Sequence, residues 1–365
     1  MTIVLFIIVL GLLVFVHELG HFLVAKATRM KVLEFAIGFP PKIFAKKIGE
    51  TIYSLNIIPL GGFVKIFGES ASDSENVNLS EYKSEDSFPN KPKLSRLSVL
   101  FAGVLFNFLF AWLCFSLVYT IGVKTPQGFL GHSGNAETTI TSVSPKSPAN
   151  EAGIESGDIV IGIKSGQNII NYPNSENLTN FILQNQDDMV TITIERNKEK
   201  ISFDVVPKAG IVPEKKVIGV SFSDMIDLSL PVHKAVIKGY TKTIEITKMT
   251  VVSMWHFFGD LFTGKDGALS QVSGPVGIAN MVGQASNLGF AYLVTFTAII
   301  SVNLAVLNLI PFPALDGGQI VFVIIESITR KPVSPKIVSW VNLAGFSFLI
   351  LLMIVVTFSD IVKFF

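Results

Sequence analysis

Residues 14–25 read VFVHELGHFLVA, which puts two histidines and a glutamate inside an otherwise apolar run. His17 and His21 stand four residues apart, so on a helix they share a face and can point at one metal ion. Glu18 sits about 100° round from His17 and can reach a water on that metal. Two neutral imidazoles suit Zn2+, which lowers the pKa of bound water to about 7. The adjacent carboxylate takes the proton and later returns it to a leaving amine. The five-residue pattern also recurs by chance in soluble helices, and a polar packing contact or a proton relay is the alternative reading. Inside a membrane helix the pattern means more, because an ionised side chain at the bilayer centre costs at least about 2.5 kcal/mol unless something compensates it.

A catalytic zinc site usually takes three protein ligands and leaves a fourth position open. The single cysteine, Cys114, lies in an apolar run, which excludes an intrachain disulfide framework and a multi-cysteine zinc site. Any metal must therefore use His, Asp or Glu. His132, His233 and His256 fall in a segment read below as lying outside the membrane, where they are poorly placed. The remaining candidate is Asp316, in NLIPFPALDGG at 308–318. Pro311 and Pro313 break any helix there and leave backbone groups free. The alternative for Asp316 is a helix-end carboxylate in a turn with Gly317 and Gly318.

These residues need elements to position them. About half of the 365 residues are hydrophobic (49%) and only 16% are charged, too apolar for an ordinary soluble chain. The net charge of +1 and the lack of a basic stripe exclude nucleic acid as a partner. A spanning helix needs roughly 20 apolar residues. Four segments qualify: 1–25, 97–123, 288–312 (within an uncharged tract that begins after Asp266) and 337–359. The first has no basic stretch before it and no small-residue cleavage site after it, so it reads as a retained helix. Lys26, Arg29, Lys31, Lys42, Lys46 and Lys47 follow the first segment, Lys91, Lys93 and Arg96 precede the second, and Arg330, Lys331 and Lys336 join the third to the fourth. Positive residues mark cytoplasmic loops, so both termini and residues 124–287 are expected outside. His17 then lies about 24 Å along a helix that starts outside, toward the cytoplasmic side of a core about 30 Å thick. The third segment also runs inward and reaches Asp316 at a similar depth.

Between the helices the chain changes character. Residues 136–208 read as short strands and turns, and MVTITIERNKEKISFDVV alternates with period two around a polar turn, a hairpin signal. SPANEAGIESGDIVIGI resembles the stretch typical of bacterial PDZ domains, present in one copy. Residues 228–262 read as a helix whose Lys234, Lys238, Lys242 and Lys248 argue against spanning; lying in the outer interface or packing on the bundle fits better. SLNIIPLGGFVKIFGE, at 54–69, is apolar, β-prone and interrupted by Pro59, Gly61 and Gly62. It suits a hairpin that dips back into the membrane and lines a cavity. The acidic stretch at 69–87 reads as a cytoplasmic loop.

Taken together, the chain resembles the bacterial RseP-type site-2 proteases, a family of intramembrane zinc metalloproteases. His17, Glu18 and His21 match the family's first motif; Gly103 and Asn107 in GVLFNF match its Gly-x-x-x-Asn pattern. Asn308, Pro311, Pro313, Leu315, Asp316 and Gly317 match Asn-x-x-Pro-x-Pro-x-Leu-Asp-Gly. LGGFVKIFGE resembles the family's re-entrant β-loop, and SGPVGIA at 273–279 a segment before the third helix. The departure is domain number: RseP has tandem PDZ domains and this chain has room for one.

The resemblance implies one zinc per chain on His17, His21 and Asp316, with Glu18 catalytic. It implies substrate-binding or site-shaping roles for Asn308, Pro311, Pro313, Gly61, Gly62 and Phe63. For Asn107 and Gly103, helix packing stands equally with site-shaping. The implied substrates are single-pass membrane proteins already shortened by another protease, such as anti-sigma-type regulators, or remnant signal peptides. A helical substrate hides its carbonyls, so cleavage needs an extended stretch, which an edge strand at 61–67 could accept. The expected fold is a polytopic α-helical membrane protein of about four transmembrane helices, with a re-entrant β-loop and one extracytoplasmic PDZ domain, in the bacterial inner membrane. Its parts are an N-terminal catalytic half (1–123), the PDZ domain (124–212), an amphipathic interfacial region (213–287) and a C-terminal catalytic half (288–365). Two other readings are a transporter using the His, Glu and Asp residues as an ion path, and a PDZ scaffold with a vestigial metal site. An ion path would sit better with an inverted repeat, which the two halves lack.

Overall fold

A computed structural model describes residues 2–69, 84–126, 136–196, 198–212, 215–263 and 273–364. His132 and most of the acidic loop at 69–87 lie outside the described residues. The chain divides into two compact units, residues 1–118 with 232–365, and residues 119–231.

The first unit is built on helices. In α1 (Thr2–Ala27) the buried residues are Val9, Leu13, His17, Gly20, His21 and Ala25. They recur every three or four positions and form one stripe. Between its two ends, where Thr2 and Lys26 are exposed, the exposed residues Ile3, Val4, Ile8, Leu12 and Leu23 are all apolar. Polar groups inside and aliphatic groups outside is the reverse of a water-soluble helix and fits a lipid-facing one. Helix α2 (Lys93–Ile121) crosses α1 closely. A Cβ on Gly20 would strike the Ala102 carbonyl, and one on Gly103 would strike both histidine rings. Small residues on each partner let the backbones approach.

Strands β1 (Val32–Ile48) and β2 (Thr51–Ile66) fold into a small antiparallel sheet. Phe35 pairs with Val64 on one side and Tyr53 on the other, and Phe44 pairs with Leu55. The resulting order is 62–66, 32–37, 51–56, 42–48, with 62–66 an edge among the described residues. The expected β-loop at 54–69 is therefore half of a larger sheet that also takes in 32–48, a segment whose charges masked its strand character. Phe35 packs against Phe15 and Phe22 of α1, which holds the sheet along that helix.

Helix α5 (Val232–Phe262) packs on α2 and on the later helix α7 (Phe290–Leu309) rather than lying free. The Trp112 indole N–H donates to the Val236 carbonyl at 2.8 Å, and the Thr250 hydroxyl to Asn303 Oδ1 at 2.8 Å. Helix α6 (Pro275–Leu288) opens at SGPVGIA, and Asp360 of α9 (Pro335–Phe364) accepts the Gly277 amide at 2.8 Å. Helix α7 (Phe290–Leu309) is shorter than the expected 288–312. Pro311 lacks an N–H and forces Ile310 into extended geometry (φ −62°, ψ 136°). After an irregular link the chain resumes as α8 (Asp316–Thr329), so Asp316 opens its own helix instead of ending the third. Helices α1, α2, α7 and α9 are long and apolar enough to cross a membrane.

The second unit is a seven-stranded sheet with two short helices, α3 (Pro148–Ala152) and α4 (Ser175–Gln184). Strands β3 (Val123–Pro126), β11 (Val220–Leu228), β4 (Glu137–Val143), β5 (Ile159–Ser165), β7 (Val190–Arg196) and β8 (Glu199–Val205) lie in that order, with β6 (Asn168–Asn171) paired to β5. The remaining strands, β9 (Lys208–Val212) and β10 (Lys215–Val217), form a separate pair. The expected hairpin is β7–β8, in register from Val190 with Val205 to Arg196 with Glu199. Leu178, Phe181 and Ile182 of α4 close over Ile140, Ile163, Ile192 and Ile194. Strand β11 sits between β3 and β4, so residues 220–228 belong with this sheet and not with the interfacial region expected at 213–287. Its partner strands lie some 80 to 100 positions earlier in the chain, a pairing that local periodicity does not carry.

Candidate metal centre

Three side-chain atoms meet where α1 and the start of α8 come together. His17 Nε2 lies 3.1 Å from Asp316 Oδ2, His21 Nε2 lies 3.4 Å from it, and the two imidazole nitrogens are 3.2 Å apart. Both histidines are 8% exposed, and Asp316 Oδ2 is buried with no hydrogen-bond donor satisfying it. Three donors bound to one tetrahedral zinc at about 2.0–2.1 Å stand about 3.3 Å apart. The observed triangle has that size, and an orphaned buried carboxylate oxygen at its corner calls for a cation. The donor set of two imidazoles and one carboxylate suits zinc. These residues therefore fit the metal.

The tertiary structure sets which nitrogen faces the centre. His21 Nδ1 lies 2.8 Å from the Val99 carbonyl of α2. A carbonyl only accepts, so Nδ1 carries the proton and Nε2 presents its lone pair. His17 Nδ1 lies 3.1 Å from the Asn107 amide, and Asn308 Nδ2 lies 3.4 Å from His17 Nε2. Ser301 of α7 donates to the Asn107 carbonyl at 2.8 Å, which ties the helix preceding Asp316 to α2.

Glu18 faces the same three groups and the backbone amide of Val64. A Cβ on Gly62 would come within 3.2 Å of Glu18 Cγ and 2.8 Å of the Ala36 carbonyl, so the edge strand runs against the glutamate. Phe63 lies in that strand opposite Ala36. Gly61 instead makes room for the Phe39 ring. Of the prolines, Pro313 packs on Gly345 of α9, and Pro311 belongs to the link that ends α7. That link is tight. A Cβ on Gly317 would strike the Ile310 and Leu309 carbonyls, one on Gly318 would strike the Phe312 carbonyl, and Ala314 takes φ 70°. Sequence reasoning missed the Val99 carbonyl, Ser301 and Gly318 as supports. A backbone acceptor has no sequence signature, and Ser301 is one hydroxyl in a long apolar run; only the doubled glycine after Asp316 hinted at the close turn.

Comparison with known proteins bears on the family. Residues 5–352 match peptidase family M50. A provisionally named zinc metalloprotease of Clostridium perfringens is 35% identical over 352 residues, covering 96% of this chain and 95% of its own. The zinc metalloprotease RasP of Geobacillus kaustophilus is 31% identical over 438 residues, covering 100% and 98%. The regulator of sigma-W protease RasP of Bacillus subtilis is 29% identical over 439 residues, covering 100% and 99%.

Proposed function

This chain belongs to peptidase family M50, the site-2 proteases, and is a zinc metalloprotease and a membrane protein; from that premise we propose that it cleaves single-pass membrane proteins within or near the bilayer. His17, His21 and Asp316 are the zinc ligands in this reading and Glu18 is the catalytic base. The observation that carries it is the triangle of ligand atoms at 3.1, 3.2 and 3.4 Å, with both histidines on α1, a helix long and apolar enough to cross a membrane.

Zinc, when bound, supplies Lewis acidity to the scissile carbonyl and to water. The chain's own residues do the rest. The Val99 carbonyl holds the His21 ring in the tautomer that exposes Nε2. Glu18 takes the proton of the attacking water on a carboxylate oxygen and passes it to the departing nitrogen. A substrate segment, unwound to expose its carbonyls, adds to the edge at 62–66 and is thereby aligned beside Glu18. Asn308, at 3.4 Å from His17 Nε2, is close enough to contact the substrate backbone at the centre.

The sheet of β1 and β2 is the re-entrant element in this account. Ile43, Phe44 and Ile57 are about 60% exposed, which suits lipid, while Lys46 and Lys47 lie near its turn at Gly49 and Glu50. The sheet-rich unit is a PDZ domain lying outside the cytoplasmic membrane with both termini. The substrates are anti-sigma-type regulators or signal-peptide remnants already cut by another protease; the name of the Bacillus relative, a regulator of sigma-W, favours the former.

Replacing Glu18 by Gln tests the reading directly. The purified variant should bind about one zinc per chain, as wild type does, and its cleavage of a model transmembrane substrate should fall by at least about 100-fold. Cleavage at the wild-type rate would remove Glu18 from the mechanism.

A further inference from the structure

Arg96 and Glu326 form an ion pair at 2.6 Å with side chains only 11% and 14% exposed. Glu326 uses its other oxygen to accept the Val333 amide at 3.1 Å, and its backbone carbonyl accepts from Lys93 Nζ at 3.0 Å. The Arg96 guanidinium also lies 5.0 Å from the centre of the Phe88 ring. Neither charge takes part in the proposed reaction. A buried ion pair adds little net stability over apolar packing, and its best attested use is to specify register.

Of the two helices that it joins, α8 carries Asp316 and α2 supports the two histidines of α1. On α2, Arg96, Val99, Gly103 and Asn107 follow at offsets of three, seven and eleven, so they share one face. That face bears the His21 acceptor, the niche for both rings and the His17 partner. On α8, Asp316 opens the helix and Glu326 lies ten residues on, about 15 Å away along the axis. Ile320 and Val323 between them pack on the cluster of Ala25, Met30, Ile66, Val99 and Leu100. The opposite side of α8 exposes Ile324, Ile325 and Ile328. Lipid is as apolar as these side chains, so burial alone does not choose the rotation or axial position of α8. The chain before Asp316 is an irregular link, and the chain after Thr329 turns at Arg330 with φ 56°. A directional contact is needed to set the helix, and Arg96 with Glu326 is that contact.

We infer that the Arg96–Glu326 pair is a positioning device: it registers α8 against α2 and so holds Asp316 within ligand distance of His17 and His21. The inference rests on Asp316 being a zinc ligand.

The test uses the full chain in detergent as wild type, Glu326→Gln, Arg96→Gln, the exchanged pair Arg96→Glu with Glu326→Arg, and Asp316→Asn. Bound zinc is measured across chelator-buffered free Zn2+, and thermal unfolding is followed on the zinc-free protein. Each single variant should need on the order of tenfold more free zinc for half-loading, and the exchanged pair should recover most of that loss. A merely structural pair would lower the unfolding midpoint of the zinc-free protein and leave the zinc midpoint where it was. Wild-type zinc midpoints in the folded single variants, no recovery in the exchanged pair, or failure of both single variants to fold would each overturn the inference. Wild-type loading by Asp316→Asn would instead overturn the ligand assignment beneath it; loss of zinc there, with normal loading of the single pair variants, would sink only the positioning role.

Discussion

Asn107 is fully buried, with Oδ1 lacking a donor while Nδ2 lies 3.1 Å from His17 Nδ1. Turning the amide over puts its oxygen on the His17 ring and lets Nδ1–H donate to it. His17 then presents Nε2, as the Val99 carbonyl makes His21 do. A polar partner on the far nitrogen of a metal-bound histidine orients the ring and raises its basicity. Asn107→Leu should therefore weaken zinc binding by about 10–100-fold, whereas Asn107→Asp, which keeps an acceptor, should bind nearly as wild type. Equal zinc midpoints for wild type and Asn107→Leu would leave Asn107 as packing only. At this scale much was legible in the sequence. HELGH supplies two ligands and the base of the proposed site, and Asp316 follows as its third ligand because so few other candidates exist. The acceptors on α2 were not legible, because a carbonyl looks the same at every position.

Elements carry the second level of control. Gly62 sits where the edge strand meets Glu18, and any Cβ there must displace the glutamate or the Ala36 carbonyl. Gly62→Ala should keep its zinc, since the strand contributes no ligand, while kcat/KM for a transmembrane substrate falls by about 10–100-fold through misplacement of the base. Steady-state cleavage with parallel zinc analysis checks this, and unchanged kcat/KM would detach the strand from the reaction. The helices were readable from length and composition, since apolar runs of spanning length have few alternatives. The sheet was only half readable. Residues 32–48 mix Lys42, Lys46 and Lys47 with Phe39, Ile43 and Phe44, and they become strand only through pairing with 51–56 and 62–66. Helix α8 was hidden in the same way, because the prolines before it suggested an end and not a restart.

The whole molecule combines a unit of apolar-faced helices with a unit that buries an ordinary core of isoleucine, valine and leucine under α4. The first suits lipid and the second water, and the proposed orientation follows from the Lys and Arg between the helices. With Cys114 replaced by Ala, a cysteine at Lys200 should react in intact cells with a membrane-impermeant maleimide, and one at Arg330 should react only after lysis. The reverse pattern would invert the proposed orientation and place the sheet-rich unit in the cytoplasm.

The sequence alone determined the apolar character of the chain, its four helices long and apolar enough to cross a membrane, and the residue types of the proposed metal ligands. Those properties depend on side-chain type and short-range spacing: a run of apolar residues, and two histidines one helical turn apart. Tertiary structure alone decided that His17 and Asp316, 299 positions apart, stand 3.1 Å from each other. It also decided which nitrogen of His21 turns toward Asp316, which strand edge borders Glu18 and where the Arg96–Glu326 pair joins α8 to α2. The physical reason is the same for each. Lipid offers no hydrophobic penalty for a misrotated apolar helix, so the positions are set by close backbone approach at glycines and by a few buried polar contacts between helices distant in sequence.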